Sequence, residues 1–170
     1  MDERPYIELK DFIDIMLDVT RGLMVIHSKK LIHRDIKPEN IICVEKTYKI
    51  TDFGNLQTGT IGGELMGTPL YLPPEILFNE SGEMEYDQRV DVWSLGVSLF
   101  EVYFHIHPFY YHSFENKYIQ EVQPEMKRNI AKLTPSFTME RFLSHLINEK
   151  QIAAYESVKN KLLVTPPAMI

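Results

Sequence analysis

From Leu9 onward, apolar residues recur at steps of three and four: Leu9, Phe12, Met16, Val19, Leu23 and Ile26, with Ile13 beside them. That spacing puts them on one face of a helix. Asp11, Asp14, Asp18 and Arg21 fall on the other faces. The pattern fades at His27-Ser28-Lys29-Lys30, where basic residues suit the negative end of a helix. Two short runs rich in β-branched residues follow, 41–44 and 48–51. Only Glu45-Lys46-Thr47 separates them, which predicts a hairpin. Residues 54–75 hold Gly54, Gly59, Gly62, Gly63, Gly67, Pro69, Pro73 and Pro74. That density of breakers predicts a long loop without regular structure, and such loops in compact domains are usually functional or disordered. Helix returns over 91–104, where Val92, Leu95, Leu99, Val102 and Tyr103 leave almost no polar face. This is the pattern of a central buried helix. Gly96 within it allows close packing at about 1 kcal/mol of helix propensity. A polar and aromatic stretch occupies 105–118. Two amphipathic patterns come last, one on Met139, Phe142, Leu143, Leu146 and Ile147, the other on Ile152, Tyr155, Val158 and Leu162. Thr165-Pro166-Pro167 ends regular structure. The predicted fold class is mainly α, a helical bundle with one small β-hairpin.

Composition narrows the picture. The chain has 170 residues, of which 44% are hydrophobic and 25% charged. That fits one domain, or one piece of a larger domain, and excludes a wholly disordered chain. Net charge is −6, whereas a footprint for nucleic-acid phosphates needs a basic excess. No apolar stretch approaches the roughly 20 residues of a membrane helix, and Met1-Asp2-Glu3-Arg4-Pro5 does not read as a signal peptide. Cys43 is the only cysteine, so no internal disulfide forms. These points predict a soluble, intracellular, cytoplasmic protein, with the nucleus left open, that binds no nucleic acid and enters no membrane. Cys43 lies in a strand pattern and is expected as a small core residue.

The residues with chemical potential lie on either side of the hairpin. His33-Arg34-Asp35-Ile36-Lys37-Pro38-Glu39-Asn40 precedes it and Asp52-Phe53-Gly54 follows it. Further on come Gly67-Thr68-Pro69-Leu70-Tyr71-Leu72, Pro73-Pro74-Glu75 and Asp91-Val92-Trp93-Ser94-Leu95-Gly96. In this order and spacing the chain resembles the C-terminal lobe of a eukaryotic serine/threonine protein kinase, whose signature is H-R-D-L-x-x-x-N, D-F-G and A-P-E. Ile36 stands in the Leu slot, and Pro73 replaces the alanine. The resemblance runs from about Leu9 to at least Phe109, and beyond that only helical character matches.

The resemblance implies ATP and Mg²⁺ as cofactors, and a protein hydroxyl as acceptor. Phosphoryl transfer asks a protein mainly for positioning and charge neutralisation. By resemblance, Asp35 accepts or orients the proton of the substrate hydroxyl, and Lys37 holds the transferring phosphate as a compact charge. Asn40 and Asp52, brought together by the hairpin, are hard oxygen ligands of the kind Mg²⁺ prefers. Ile42 would form the floor under the adenine ring. Lys37 and Thr68 are the choices of serine/threonine kinases. Each residue also has a plainer reading. Asp35 or Asp52 alone is a turn or capping residue, Lys37 a surface charge, and Ile42 an ordinary strand residue. His33 and Phe53 are expected to be structural, and Asp91 to anchor the catalytic loop or cap the central helix. Arg34 is a candidate to meet a phosphate, with Thr58 and Thr60 as candidate phosphosites, although residues 55–67 hold no Lys or Arg to help it. His105, His107 and His112 match no common zinc spacing, and Pro108-Phe109 is expected to pack. Glu75 lacks the late arginine that partners it in the family, since none occurs after Arg141.

The residues before His33 contain no G-x-G-x-x-G loop, no V-A-I-K lysine and no partner glutamate. The expectation is therefore a kinase domain over 1–170 in its C-lobe portion only, without an N-terminal lobe. Beside a kinase-like structural scaffold without any ligand, two functions follow. One is a serine/threonine kinase, weak or inactive as this lobe alone. The other is a C-lobe-only pseudokinase that binds a true kinase through the uncovered inter-lobe face, where Ile42, Phe53 and Leu56 would be exposed.

Overall fold

A computed structural model describes residues 7–59, 66–79, 85–105, 107–109 and 119–131, with the side chains of 119–121 left aside. The chain divides into two units, Met1–Ile130 and Ala131–Ile170, and every element described belongs to the first. Helix α1 (Leu9–Ser28) leads into β1 (Leu31–Ile32), then the hairpin β2 (Ile41–Val44) and β3 (Thr47–Ile50), and β4 (Gln57–Thr58). Helices α2 (Pro74–Leu77), α3 (Arg89–Phe104) and α4 (Ile119–Ile130) follow. The strands make two separate two-stranded antiparallel sheets, β1 with β4 and β2 with β3.

Helix α1 supplies the larger part of one core cluster. Ile15, Val19, Leu23 and Ile26 are buried against Ile36, Ile50 of β3 and Leu95 of α3. The buried stripe is turned slightly from the predicted face: Ile15, outside that face, is buried, and Met16 is only half-buried. Leu17, Met24 and Val25 remain exposed. The helix stops where Lys29 and Lys30 donate backbone bonds to Ile26 and His27 carbonyls, with Lys30 in the left-handed region at φ 59.

The hairpin forms one residue tighter than expected. Its register pairs Ile41 with Ile50 and Val44 with Thr47, so Thr47 belongs to the strand and the turn is Glu45-Lys46. Both turn residues have positive φ, 49 and 65. That geometry matches the right-handed twist of the flanking strands. Strand β3 lies against α1, with the Tyr48 amide donating to Asp18 Oδ2 at 3.1 Å. Strand β2 is its outer neighbour, and this corrects one expectation: Cys43 is exposed, not in the core.

The breaker-rich stretch also departs from a featureless loop. Its described part holds a 3₁₀ turn at Phe53–Asn55, strand β4 in register with β1 (Leu31 opposite Thr58, Ile32 opposite Gln57), a 3₁₀ turn at Pro69–Tyr71, and α2. Prolines start the last two of these elements. Pro69 and Pro74 occupy first positions, where a helical turn leaves the N–H unpaired in any case.

Helix α3 begins two residues before the predicted start, and its burial is not all round. Val90, Asp91, Ser94, Leu95, Val97 and Ser98 are buried, whereas Val92 is exposed. Helix α4 lies in a stretch to which no element was assigned. Its signal is Val122, Met126 and Ile130 at steps of four, and all three are buried. The helix packs on α2 and on the turn at Pro69–Tyr71. The amphipathic patterns at 139–147 and 152–162 lie outside the described residues.

His107 joins the segment after α3 to the turn at 69–71. Its Nδ1 accepts the Phe109 amide at 3.1 Å, which leaves Nε2 to donate to the Leu70 carbonyl at 2.8 Å. Phe109 in turn stacks on Trp93 at 5.4 Å, the packing role expected of Pro108-Phe109. Burial pushes the His107 imidazole down to about 4, against a smaller opposing effect of the Leu70 bond.

Two predictions follow from this packing. Lys46→Gly removes a left-handed side-chain penalty of about 1 kcal/mol at some cost in unfolded-chain entropy, so the melting temperature rises by a few degrees in a calorimetric scan. His107 binds its proton more readily unfolded than folded. Its contribution is complete above the unfolded value near pH 6.5 and erodes as pH falls toward 4. The loss reaches at most about 3 kcal/mol, and urea unfolding at pH 7, 6 and 5 should show a shallower acid slope for His107→Gln than for the parent chain.

Candidate active site

The site is built around a carboxylate inside the protein. Asp91, in the first turn of α3, has no exposed surface. Its Oδ2 accepts the His33 amide at 2.8 Å and lies 2.8 Å from His27 Nε2, while its Oδ1 accepts the Arg34 amide at 2.8 Å. A carboxylate buried away from water is costly unless such donors surround it. Asp91 is thus the anchor of the loop, and Gln88 holds the N-cap position instead. His33 is fully buried, reaches the Thr51 carbonyl with Nε2 at 3.0 Å, and meets Phe53 edge-on at 5.5 Å. His33 is structural, as expected, whereas Phe53 is 50% exposed.

Pinned at 33 and 34, the loop delivers Asp35 into a cluster of polar groups. Asp35 Oδ1 accepts the Thr68 amide at 3.0 Å and the Thr68 hydroxyl at 2.7 Å. Its Oδ2 lies 3.1 Å from Lys37 Nζ and accepts from Asn40 Nδ2 at 3.2 Å. Lys37 Nζ also donates to Thr68 Oγ1 at 2.7 Å. Burial works to raise the Asp35 carboxyl, but the Thr68 hydroxyl, then Lys37, outweigh it and hold the group below its ordinary value. Asp35 is therefore ionised at neutral pH, as an acceptor must be.

Asn40 sits at the base of the hairpin, where its carbonyl accepts the Thr51 amide at 2.9 Å. Its Nδ2 is committed to Asp35, both to the carboxylate and to the backbone carbonyl at 2.8 Å. Asn40 Oδ1 accepts no hydrogen bond among the described residues. Asp52, next to Thr51, is exposed and holds a left-handed φ of 58, with Oδ1 accepting from the Gly54 amide at 3.4 Å. Two oxygen groups thus stand open on adjacent backbone. No side-chain bond joins Asp52 to the Asp35 cluster among the described residues. Ile42 lies apart on the outer strand, 44% exposed.

Thr68 is the member of the cluster not named beforehand as a site residue, though the Gly-Thr-Pro signal for it was present. Gly67 is what lets it approach. It has φ 102, and a Cβ there would stand 2.4 Å from the Arg34 carbonyl oxygen. Arg34 itself is already engaged, through Nε to the Asn55 carbonyl at 2.6 Å and Nη1 to Gln57 Oε1 and to the Tyr86 hydroxyl. Thr58 is exposed on β4, while Thr60 and His112 lie outside the described residues. Leu56 is partly buried against the core rather than exposed. Glu75 is exposed and makes no ion pair among the described residues. No helix among them is long and apolar enough to cross a membrane.

Comparison with known proteins bears on this geometry. The family model described as "Protein kinase domain" matches residues 1–160. The chain is 32% identical over 150 residues to serine/threonine-protein kinase Aurora-2 of Arabidopsis thaliana, covering 86% of this chain and 52% of that protein. It is 35% identical over 162 residues to Aurora kinase of Dictyostelium discoideum, covering 85% of this chain and 40% of the relative. Against serine/threonine-protein kinase TIO of Arabidopsis thaliana the identity is 40% over 104 residues, 58% of this chain and 8% of that protein. The chain thus spans between 8% and 52% of the length of these relatives.

Asp91→Ala leaves one buried and one part-buried amide without an acceptor. It should cost about 3 kcal/mol or more of unfolding free energy, together with faster hydrogen exchange at the His33 and Arg34 amides. Denaturant titration and exchange measured by NMR would check both.

Proposed function

This chain belongs to the protein kinase domain family, and from that premise we propose that it is part of a serine/threonine kinase that transfers the γ-phosphoryl group of ATP to a protein hydroxyl. The observation that carries the proposal is the Asp35 cluster: an ionised carboxylate held between a hydroxyl and an ammonium group in a loop anchored to the core. In this reading Asp35 orients the incoming hydroxyl and takes its proton. Lys37 neutralises the transferring phosphate, and Asn40 and Asp52 hold Mg²⁺. The oxygen donor set fits that ion: Asn40 has its nitrogen turned to Asp35 and its oxygen open, and the Asp52 carboxylate is exposed. Held there, Mg²⁺ would supply positive charge against the phosphates of ATP. Ile42 serves as an apolar floor for the adenine.

In the same reading, residues 1–170 are the C-lobe portion of the domain, and the ATP cleft is completed by an N-terminal lobe. A second reading has one observation in its favour. Ile42, Val44 and Phe53 are all exposed, a set of apolar side chains that a partner would cover. On that reading the chain is a pseudokinase-like binding partner of a kinase, and weak or inactive alone. An intracellular, cytoplasmic location accompanies either reading.

The test uses both nucleotide and activity. Mg-ATP at about 100 times its dissociation constant should stabilise the chain by about 2.7 kcal/mol, seen as a rise in melting temperature that Asp52→Asn removes. In a kinase domain that joins this chain to an N-terminal lobe, Asp35→Asn should lower phosphate transfer by roughly 10²–10⁴. Equal transfer by Asp35→Asn and the parent would reject the catalytic reading. Absence of any nucleotide shift, with capture of a kinase, would favour the binding reading.

A further inference from the structure

Arg34 stands immediately before Asp35 and has φ 68. A left-handed conformation of this kind is strained for a residue with a Cβ, and it persists only where the surroundings over-determine it. Three groups do so here. The Arg34 amide is held by Asp91 Oδ1, and its carbonyl lies against Gly67. Its guanidinium is gripped by the Asn55 carbonyl, the Gln57 side-chain oxygen and the Tyr86 hydroxyl. The last two are themselves 3.4 Å apart. All three acceptors are neutral, and no carboxylate pairs with Arg34 among the described residues. Tyr86 is buried and belongs to the segment leading into α3, while Gln57 lies in β4 opposite Ile32.

We propose that Gln57 and Tyr86 are positioning residues: with Arg34 they form a neutral clasp that keeps Asp35 turned toward Thr68 and Asn40 without an added anion. The physical argument is one of leverage. Rotation of Arg34 out of the left-handed region redirects the next residue, so Asp35 leaves the Thr68 donors and the Asn40 amide together. A part-buried guanidinium resists that rotation only while its N–H groups have acceptors. Gln57 and Tyr86 supply two of these from separate segments, so the clasp also ties β4 and the α3 approach to the loop. The importance of Asp35 to catalysis rests on the proposed kinase reading. The clasp itself does not, and it is tested without any activity.

The test follows the ¹⁵N-labelled 170-residue chain by NMR. Three signals matter: the Arg34 Nη1 protons donated to Gln57 and Tyr86, the Thr68 amide that donates to Asp35, and the Asn40 side-chain amide. Gln57→Ala, and Tyr86→Phe as the variant that keeps ring packing, should weaken the Arg34 Nη1–H signal. They should also shift the Thr68 and Asn40 signals, with Thr68 amide exchange faster by about tenfold. Gln57→Glu retains an acceptor facing the guanidinium and should restore all three. The proposal is overturned if the Arg34 Nη1–H signal is lost while Thr68 and Asn40 stay unchanged. It is equally overturned if neither variant moves Arg34 Nη1–H, or if Gln57→Glu disturbs Thr68 as much as Gln57→Ala does.

Discussion

The structure depends on one carboxylate that has no contact with water. Asp91 is an expensive group to bury, by several kcal/mol if left uncompensated, and it is compensated by two consecutive backbone amides and an imidazole nitrogen. Those amides belong to His33 and Arg34, which have no helix or strand of their own to bond within. Each side therefore solves the other's problem: the loop acquires an acceptor, and the buried charge acquires donors. Ser94 and Ser98 extend the same logic along α3. Ser94 Oγ reaches the Tyr71 carbonyl and Ser98 Oγ the Ile36 carbonyl, at 2.8 and 3.4 Å. Helix α3 is thus a template whose small polar side chains fasten irregular backbone where apolar ones would only pack against it.

Three aspartates show how environment divides roles among identical side chains. Asp91 is enclosed and fully engaged, so it is a fixture. Asp35 is mostly buried but keeps an ordered shell of a hydroxyl, an amide and an ammonium, which favours its charged form over the effect of burial. Asp52 is exposed, with a single weak backbone donor, and so has capacity to spare for a ligand. The distinction is invisible in residue type. It lies in what each segment places around the carboxylate.

Much of this was legible beforehand, for reasons that are themselves physical. The face of α1 could be read because a long amphipathic helix states its period many times over. The motif residues Asp35, Lys37 and Asn40 were legible as a set, and the chain does bring them together. What could not be read were features decided by tertiary contact. Strands β1 and β4 are two residues each, too short to show alternation, and each exists because the other is there. The turn at Glu45-Lys46 lacks the usual Asn-Gly or Asp-Gly signal. Cys43 looked like a core residue because a strand pattern does not say which of two strands lies against the helix. Helix α4 was masked by Pro124, which reads as a breaker although Val122, Met126 and Ile130 flank it at helical spacing.

The segment from Gly67 to Tyr71 carries the argument to its last step. Almost every residue in it is tied to a different part of the fold. Gly67 abuts the Arg34 carbonyl, Thr68 binds Asp35, the Leu70 carbonyl accepts from His107, and the Tyr71 carbonyl accepts from Ser94. Tyr71 also donates its hydroxyl to Glu101 Oε2 at 2.6 Å, and burial, with that bond, raises the phenol far above its ordinary value, so it stays a donor. These ties reach the loop after β1, helix α3 and the segment beyond it. A displacement at any of them is therefore felt at Thr68, and through Thr68 at Asp35. The geometry of the candidate site is set less by the volume of the core than by backbone carbonyls, each with a designated donor from elsewhere in the chain.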